Sequence, residues 1–148
     1  MDLSIIIPVY NKSKLINRCL DSIFKQTTIH SYEVVLVDDG STDDSVELIK
    51  ARTEGNIILY EQQNAGPSVA RNKGVELSHG KYCAYLDADD YWGDGFIEKT
   101  VSFLEEHDDC VAVNVAQRHL TLSGEHVAPV CYSDYSKPFV LDDFYSFW

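Results

Sequence analysis

Tyr82-Cys83-Ala84-Tyr85-Leu86-Asp87-Ala88-Asp89-Asp90 is the stretch from which the fold of this 148-residue chain is read. Its first five residues are apolar or aromatic and predict a buried strand, and the run ends in three carboxylates within four positions. Burying those carboxylates without partners would be prohibitively costly, so the strand must run out at the edge of a sheet. In open α/β sheets that edge is where ligands bind. Asp87 and Asp89 are two apart; in strand-like backbone both side chains share a face while Ala88 points away, and two such carboxylates suit a common hard cation. Aspartates are also ordinary turn residues, so a polar strand end capping the next helix is the plainer reading.

Outward from this stretch the chain alternates between two periods. Leu3 to Val9 (LSIIIPV) is β-branched and nearly all apolar, as a central parallel strand requires. Ser13 is a natural N-cap, and Leu15, Ile16, Cys19, Leu20, Ile23 and Phe24 follow at helical spacing. Tyr32 to Val37 (YEVVLV) predicts a second core strand closing on Asp38-Asp39-Gly40, after which Ser41 or Thr42 caps a helix to about Ala51. Ile57 to Tyr60 is a short third strand, and Gly66-Pro67 opens a helix that Gly80 ends. Beyond the acidic stretch, Phe96 to about His107 has helical spacing and Cys110 to Ala116 reads as a strand. His119–Leu122 and His126–Val130 read as a hairpin, and Phe139 to Trp148 as a short helix. Strand and helix alternating in this way predict a doubly wound α/β fold: a mostly parallel sheet with helices on both faces and a C-terminal antiparallel hairpin. A parallel order places the two aspartate-tipped strand ends on one rim.

Length predicts one domain, with a core that needs no staples. Cys19, Cys83, Cys110 and Cys131 lack zinc or redox spacing and read as buried free thiols. With no signal peptide and no transmembrane segment in view, the expected location is the cytoplasm, including the peripheral face of a membrane. Twenty-four acidic against twelve basic side chains give a formal charge of −12, which disfavours nucleic acid as a partner and means that an anionic substrate needs local help from a metal or a few placed cations.

Asp38-Asp39-Gly40-Ser41 stands between a core strand and a helix, where a carboxylate can accept hydrogen bonds from ribose hydroxyls or a base edge; a turn and helix cap would use the same residues. Neither a dinucleotide-type glycine pattern nor a P-loop is present. Phosphate must therefore be held otherwise, with Arg71 and Lys73 near the start of the Gly-Pro helix as candidates, although Arg71 would serve equally in a surface ion pair. Tyr10, where the first strand gives way to its loop, is placed to stack on a base or simply to pack. The five histidines show no metal or nucleophile spacing.

Taken together, SIIIPVYN, EVVLVDDGSTDDS, NAGPSVARNKG and YLDADD resemble, in order and spacing, the donor-binding half of a family 2 glycosyltransferase with the A-type, Rossmann-like fold. The resemblance covers roughly Leu3 to Leu104 and implies inverting transfer of a sugar from a nucleotide diphosphate sugar, a UDP-sugar first, to a glycan or lipid-linked acceptor, assisted by Mn²⁺ or Mg²⁺. It implies that Pro8, Val9 and Tyr10 line the base pocket, that Asp39 meets the base edge with Asp38 and Ser41 beside it, and that Arg71 flanks the nucleotide. Asp87 would face the ribose and the metal, and Asp89 would be the direct metal ligand. Residues 1–107 would bind the nucleotide sugar and 108–148 would begin the acceptor side. The catalytic base of the family lies late in the domain and is expected beyond Trp148, with Asp142 and Asp143 as weak candidates; the apolar end at Phe147-Trp148 reads as a truncation. A donor-binding module without catalysis is the alternative. A phospho-accepting receiver domain fails because its acidic pair follows the first strand, and nucleotidyl transfer fails for want of a Gly-rich, Lys-containing signature.

Overall fold

A computed structural model describes residues 1–115, together with the backbone of two short strands at 119–120 and 126–127. Its first unit, Met1–Ser102, is built on a four-stranded sheet, and a second unit begins at Phe103. In chain order the elements are β1 (Leu3–Val9), α1 (Ile16–Phe24), β2 (Tyr32–Asp38), α2 (Ser45–Lys50), β3 (Ile57–Glu61), α3 (Pro67–Leu77), β4 (Tyr82–Tyr85), α4 (Phe96–Glu106), β5 (His119–Leu120) and β6 (His126–Val127). The sheet order is β3-β2-β1-β4, and every pairing within it is parallel. The predicted hairpin is present as β5 paired antiparallel with β6.

β1 is central because its residues can be covered on both faces: Ile5, Ile6 and Ile7 are all fully buried. On one face Ile5, Ile7, Val34 and Leu36 join Ile16, Cys19, Leu20 and Ile23 of α1, Ile49 of α2, and Ile97 and Val101 of α4 in one core. Each such side chain withdrawn from water contributes about 1.5–3 kcal/mol. On the other face lies α3, with Ala70 and Gly74 buried and Gly74 directly over Ile6.

Differences from the predicted elements have local causes. α2 begins at Ser45, not Ser41, because the Asp38 carboxylate and the Asn11 side chain capture the N–H groups of Ser41 and Thr42 and hold a turn there. α3 ends at Leu77, and Gly80 instead lies against the backbone of β1. Within 110–115 there is no strand where Cys110–Ala116 predicted one, and Val111, Val113 and Val115 are exposed. β4 is an edge strand of this sheet with alternating burial, so Tyr85 and Cys83 are exposed; only Cys19 of the described thiols is buried. Cys131 and the predicted helix at 139–148 lie outside the described residues.

At the amino ends of the strands sits a polar knot that the periodicity did not announce. Glu33, 2% exposed, accepts from the Ser4 hydroxyl at 2.6 Å and from the His79 N–H at 2.7 Å, while Ser4 Oγ accepts from the Gly80 N–H at 2.8 Å. Burial pushes the Glu33 carboxyl up, but the hydrogen bonds from Ser4 and His79 outweigh it and hold it below its ordinary value. Ser4 and Glu33 are register partners in β1 and β2, which is why the pair can form.

Candidate functional site

The chain runs from β1 outward through β2 to β3 and then crosses back to β4 on the other side of β1. This reversal opens a crevice between the carboxyl ends of β1 and β4, the position at which such sheets bind ligands. Four segments meet there: the loop after β1, the loop after β2, the loop before α3 and the turn after β4.

The first two are stitched to each other. The Asn11 N–H donates to Ser41 Oγ at 2.9 Å, and Asn11 Oδ1 accepts from the Thr42 N–H at 2.8 Å. The Lys12 N–H donates to Ser45 Oγ at 2.8 Å and the Ser13 N–H to Asp43 Oδ2 at 3.0 Å. Asn11 takes a positive φ of 51° to do this, a conformation that asparagine tolerates better than most residues. Asp43, bonded first by the Ser45 hydroxyl and also by Ser13, is drawn down to about 2.

Asp38 and Asp39 are both buried, at 2% and 3% exposure, yet they do different work. Asp38 Oδ2 accepts from the Gly40 and Ser41 N–H groups at 3.2 and 3.0 Å, and its Oδ1 is buried without a partner. Asp39 reaches across to the loop before α3: Oδ1 accepts from Gln62 Nε2 and the Ala65 N–H, and Oδ2 from the Gly66 N–H, each at 2.8 Å. Burial pushes the Asp39 carboxyl up, and the bonds from Gln62, Ala65 and Gly66 overcome this and leave it below its ordinary value. Gly66 holds φ 92° as the N-cap of α3, a conformation that glycine alone adopts without strain.

After β4 the chain turns at once, with the Asp90 N–H bonded to the Asp87 carbonyl at 2.9 Å. Leu86 and Ala88 face the core, whereas Asp87 and Asp89 face outward. Each carboxylate carries a different cation. Arg71 of α3 meets Asp87 Oδ1 at 2.5 Å, and the Lys12 ammonium meets Asp89 Oδ2 at 2.6 Å. Lys12, the nearest cation, holds the Asp89 carboxyl below its ordinary value. From α1, Arg18 donates to the Asp89 carbonyl oxygen at 2.7 Å and lies 4.9 Å over the Tyr91 ring. Arg71 also lines a shallow cleft with Ser68, Asn72 and Tyr85.

The remaining sequence candidates fall as follows. Tyr10 is half exposed at the rim, and Pro8 is partly buried in β1. The Val9 side chain is in the core, so that residue offers the crevice only its main chain, whose carbonyl already accepts from the Asp39 N–H at 2.8 Å. Lys73 pairs with Glu76 on its own helix at 2.5 Å rather than with the acidic turn. Asp142 and Asp143 lie outside the described residues. The sequence reading passed over Lys12, Arg18 and Gln62. Lys12 alone carried a signal, as a basic side chain directly after Tyr10-Asn11 on the predicted ligand rim of an acidic chain.

Among the described residues no three His, Cys, Asp or Glu side chains converge as a ready-made metal cage, and no helix is long and apolar enough to cross a membrane.

The sequence model of Glycosyl transferase family 2 matches residues 4–128. The uncharacterized glycosyltransferase YibD of Escherichia coli K12 is 47% identical over 90 residues, which are 60% of this chain and 26% of that protein. S. aureus TarS 1-349 in complex with UDP-GlcNAc superposes with a TM-score of 0.69 at 33% identity, over 73% of this chain and 32% of the other. A mannosyltransferase from Pyrobaculum calidifontis, in complex with GDP-Man and Mn²⁺, has a TM-score of 0.64 at 25% identity, over 77% of this chain and 33% of the other. The chain thus spans well under half the length of each.

Proposed function

The chain belongs to Glycosyl transferase family 2, and from that premise we propose that its crevice takes a nucleotide diphosphate sugar, a UDP-sugar first, and passes the sugar with inversion to an acceptor hydroxyl of a glycan or lipid-linked chain. One observation carries this reading: at the switch point of the sheet, two outward carboxylates are each balanced by a cation from a different segment. A site that draws positive charge to Asp87 and Asp89 has the hard oxygen donors that Mn²⁺ or Mg²⁺ takes, and these ions are commonly held by one or two carboxylates with substrate phosphates and water completing the shell. That fit agrees with the lack of a three-residue cage among the described residues. When bound, the ion would offset the charge that collects on the departing diphosphate.

The chain's own residues do the rest. Tyr10, half exposed at the end of β1, offers a ring for the base, and Asp38, Asp39 and Ser41 set the wall beside it by fixing the two neighbouring loops. Asp87 faces the ribose, and Arg71, released from Asp87 as the ligand enters, turns its planar fork toward the phosphates. For the proton of the acceptor hydroxyl we assign no residue among 1–115. Because the chain spans 26% of its E. coli relative, donor binding without transfer is the second reading. A formal charge of −12 and thiols left free at Cys19, Cys83 and Cys110 favour a reducing, cytoplasmic setting without nucleic acid.

Calorimetry with UDP tests the site directly. Affinity is expected to fall at least about tenfold when Mn²⁺ is replaced by excess chelator, and Asp89→Asn is expected to lose the dependence, because the ion that would offset Asp87, Asp89 and the diphosphate together is then missing. Equal affinity in chelator and in Mn²⁺ would remove the ion from the site. Glycoside formation beside UDP release then separates transfer from donor binding alone.

A further inference from the structure

Lys12 is held at one end and loose at the other. Its main-chain N–H is pinned on Ser45 Oγ at 2.8 Å, in a loop stitched on both sides by Asn11 and Ser13. Its ammonium, on a flexible four-carbon stem, meets Asp89 Oδ2 at 2.6 Å, with both side chains partly open to water. The acidic turn does not depend on that contact to keep its place. Arg18 bonds the Asp89 carbonyl oxygen at 2.7 Å, and Ala88 is buried in the core. The lysine side chain can therefore leave Asp89 without moving the turn.

We propose that Lys12 is a tethered counter-cation of Asp89 that competes with the divalent ion for this carboxylate and, once displaced, turns its ammonium to the diphosphate of the donor. The inference rests on the reading of Asp89 as a ligand of that ion. A charge-assisted contact at this distance occupies the oxygen a metal would take, and two cations cannot share it without repulsion. After displacement the ammonium stays on the same rim because its main chain is held there by the Asn11, Lys12 and Ser13 hydrogen bonds. There it faces the only new negative charge, the phosphates, in a chain with twice as many acidic as basic side chains. Lys12 thus opposes the ion when it arrives alone and assists when it arrives with nucleotide. The site is thereby biased toward loading ion and donor together.

The test is a pair of affinities with opposite expected signs. Mn²⁺ binding alone is followed by the electron paramagnetic resonance of the free ion, and UDP binding at saturating Mn²⁺ by calorimetry, on the 148-residue chain and on Lys12→Met, Lys12→Arg and Asp89→Asn. Lys12→Met is expected to bind Mn²⁺ about two- to fivefold more tightly and UDP about two- to fivefold more weakly, the range that removal of one partly exposed charge contact allows. Lys12→Arg, which keeps the charge, is expected to stay near the parent in both. If Lys12 merely supported the loop, Lys12→Met would weaken both affinities, and that result would overturn the proposal. So would unchanged Mn²⁺ binding in Lys12→Met while Asp89→Asn has lost the ion, and so would unchanged UDP affinity. If Asp89→Asn holds Mn²⁺ as well as the parent does, the metal reading itself fails and the competition falls with it.

Discussion

Asp39→Ala is expected to destabilise the fold by about 2 kcal/mol and to abolish measurable nucleotide binding in the same stroke. From sequence alone the residue reads as a base contact whose loss would weaken nucleotide binding more than it disturbs the fold. In the structure its carboxylate is 3% exposed and accepts from Gln62, Ala65 and Gly66, the last at the start of α3. Truncation takes the shared acceptor from two backbone N–H groups and an amide at a part-buried site, and frees the loop that sets the position of Arg71. Urea melts beside UDP calorimetry check this. A variant that melts like the parent but has lost UDP would return Asp39 to the role of a base contact alone. The pH dependence has a defined sign. Because the folded carboxyl lies below its ordinary value, its contribution is complete above the unfolded aspartate range, about 3.9, and is lost as pH falls through the folded value. The deficit of Asp39→Ala relative to the parent is therefore expected to narrow in acid.

Gly80→Ala is expected to cost about 3 kcal/mol with no change in UDP affinity for the protein that remains folded. A Cβ at Gly80 would lie 2.5 Å from Ser4 N and 2.6 Å from Leu3 C, and both are backbone atoms of the central strand. No side-chain rotation relieves such a clash. The strand and the turn after α3 would have to separate, which also breaks the Gly80–Ser4 bond and loosens the hydrogen bonds that stabilise buried Glu33. Because this knot lies at the amino ends of the strands, the rim at their carboxyl ends is expected to keep its geometry. Thermal melting and UDP calorimetry on the same samples check both halves. A parent-like melting temperature would show that the β1 backbone yields at this point.

The four-strand parallel core was legible because burial on two faces writes itself into a sequence as uninterrupted apolar runs. Leu3–Val9 and Tyr32–Val37 are such runs, and their pairing follows from connections long enough to cross over. The rim was legible for a similar reason, since aspartates that close apolar strands cannot stay in the core. The edge position of β4 was less so: four apolar or aromatic residues look alike whether one face or two are covered, and only the sheet order exposes Tyr85.

Residue types and their spacing determined by themselves a mostly parallel α/β fold and the rim on which its acidic residues gather. Which aspartate does what was decided by tertiary structure alone. Asp38 and Asp39 are adjacent and chemically identical, yet one closes its own turn and the other binds a loop more than twenty residues away. Likewise, Asp87 and Asp89 stand two apart on one face, yet the fold brings Arg71 to the first and Lys12 to the second. Such partners come from segments far apart in the chain, and a sequence records the donors and acceptors but not the distances between them. Those distances are set only when the sheet order and the packing of α1 and α3 on its opposite faces bring the loops together.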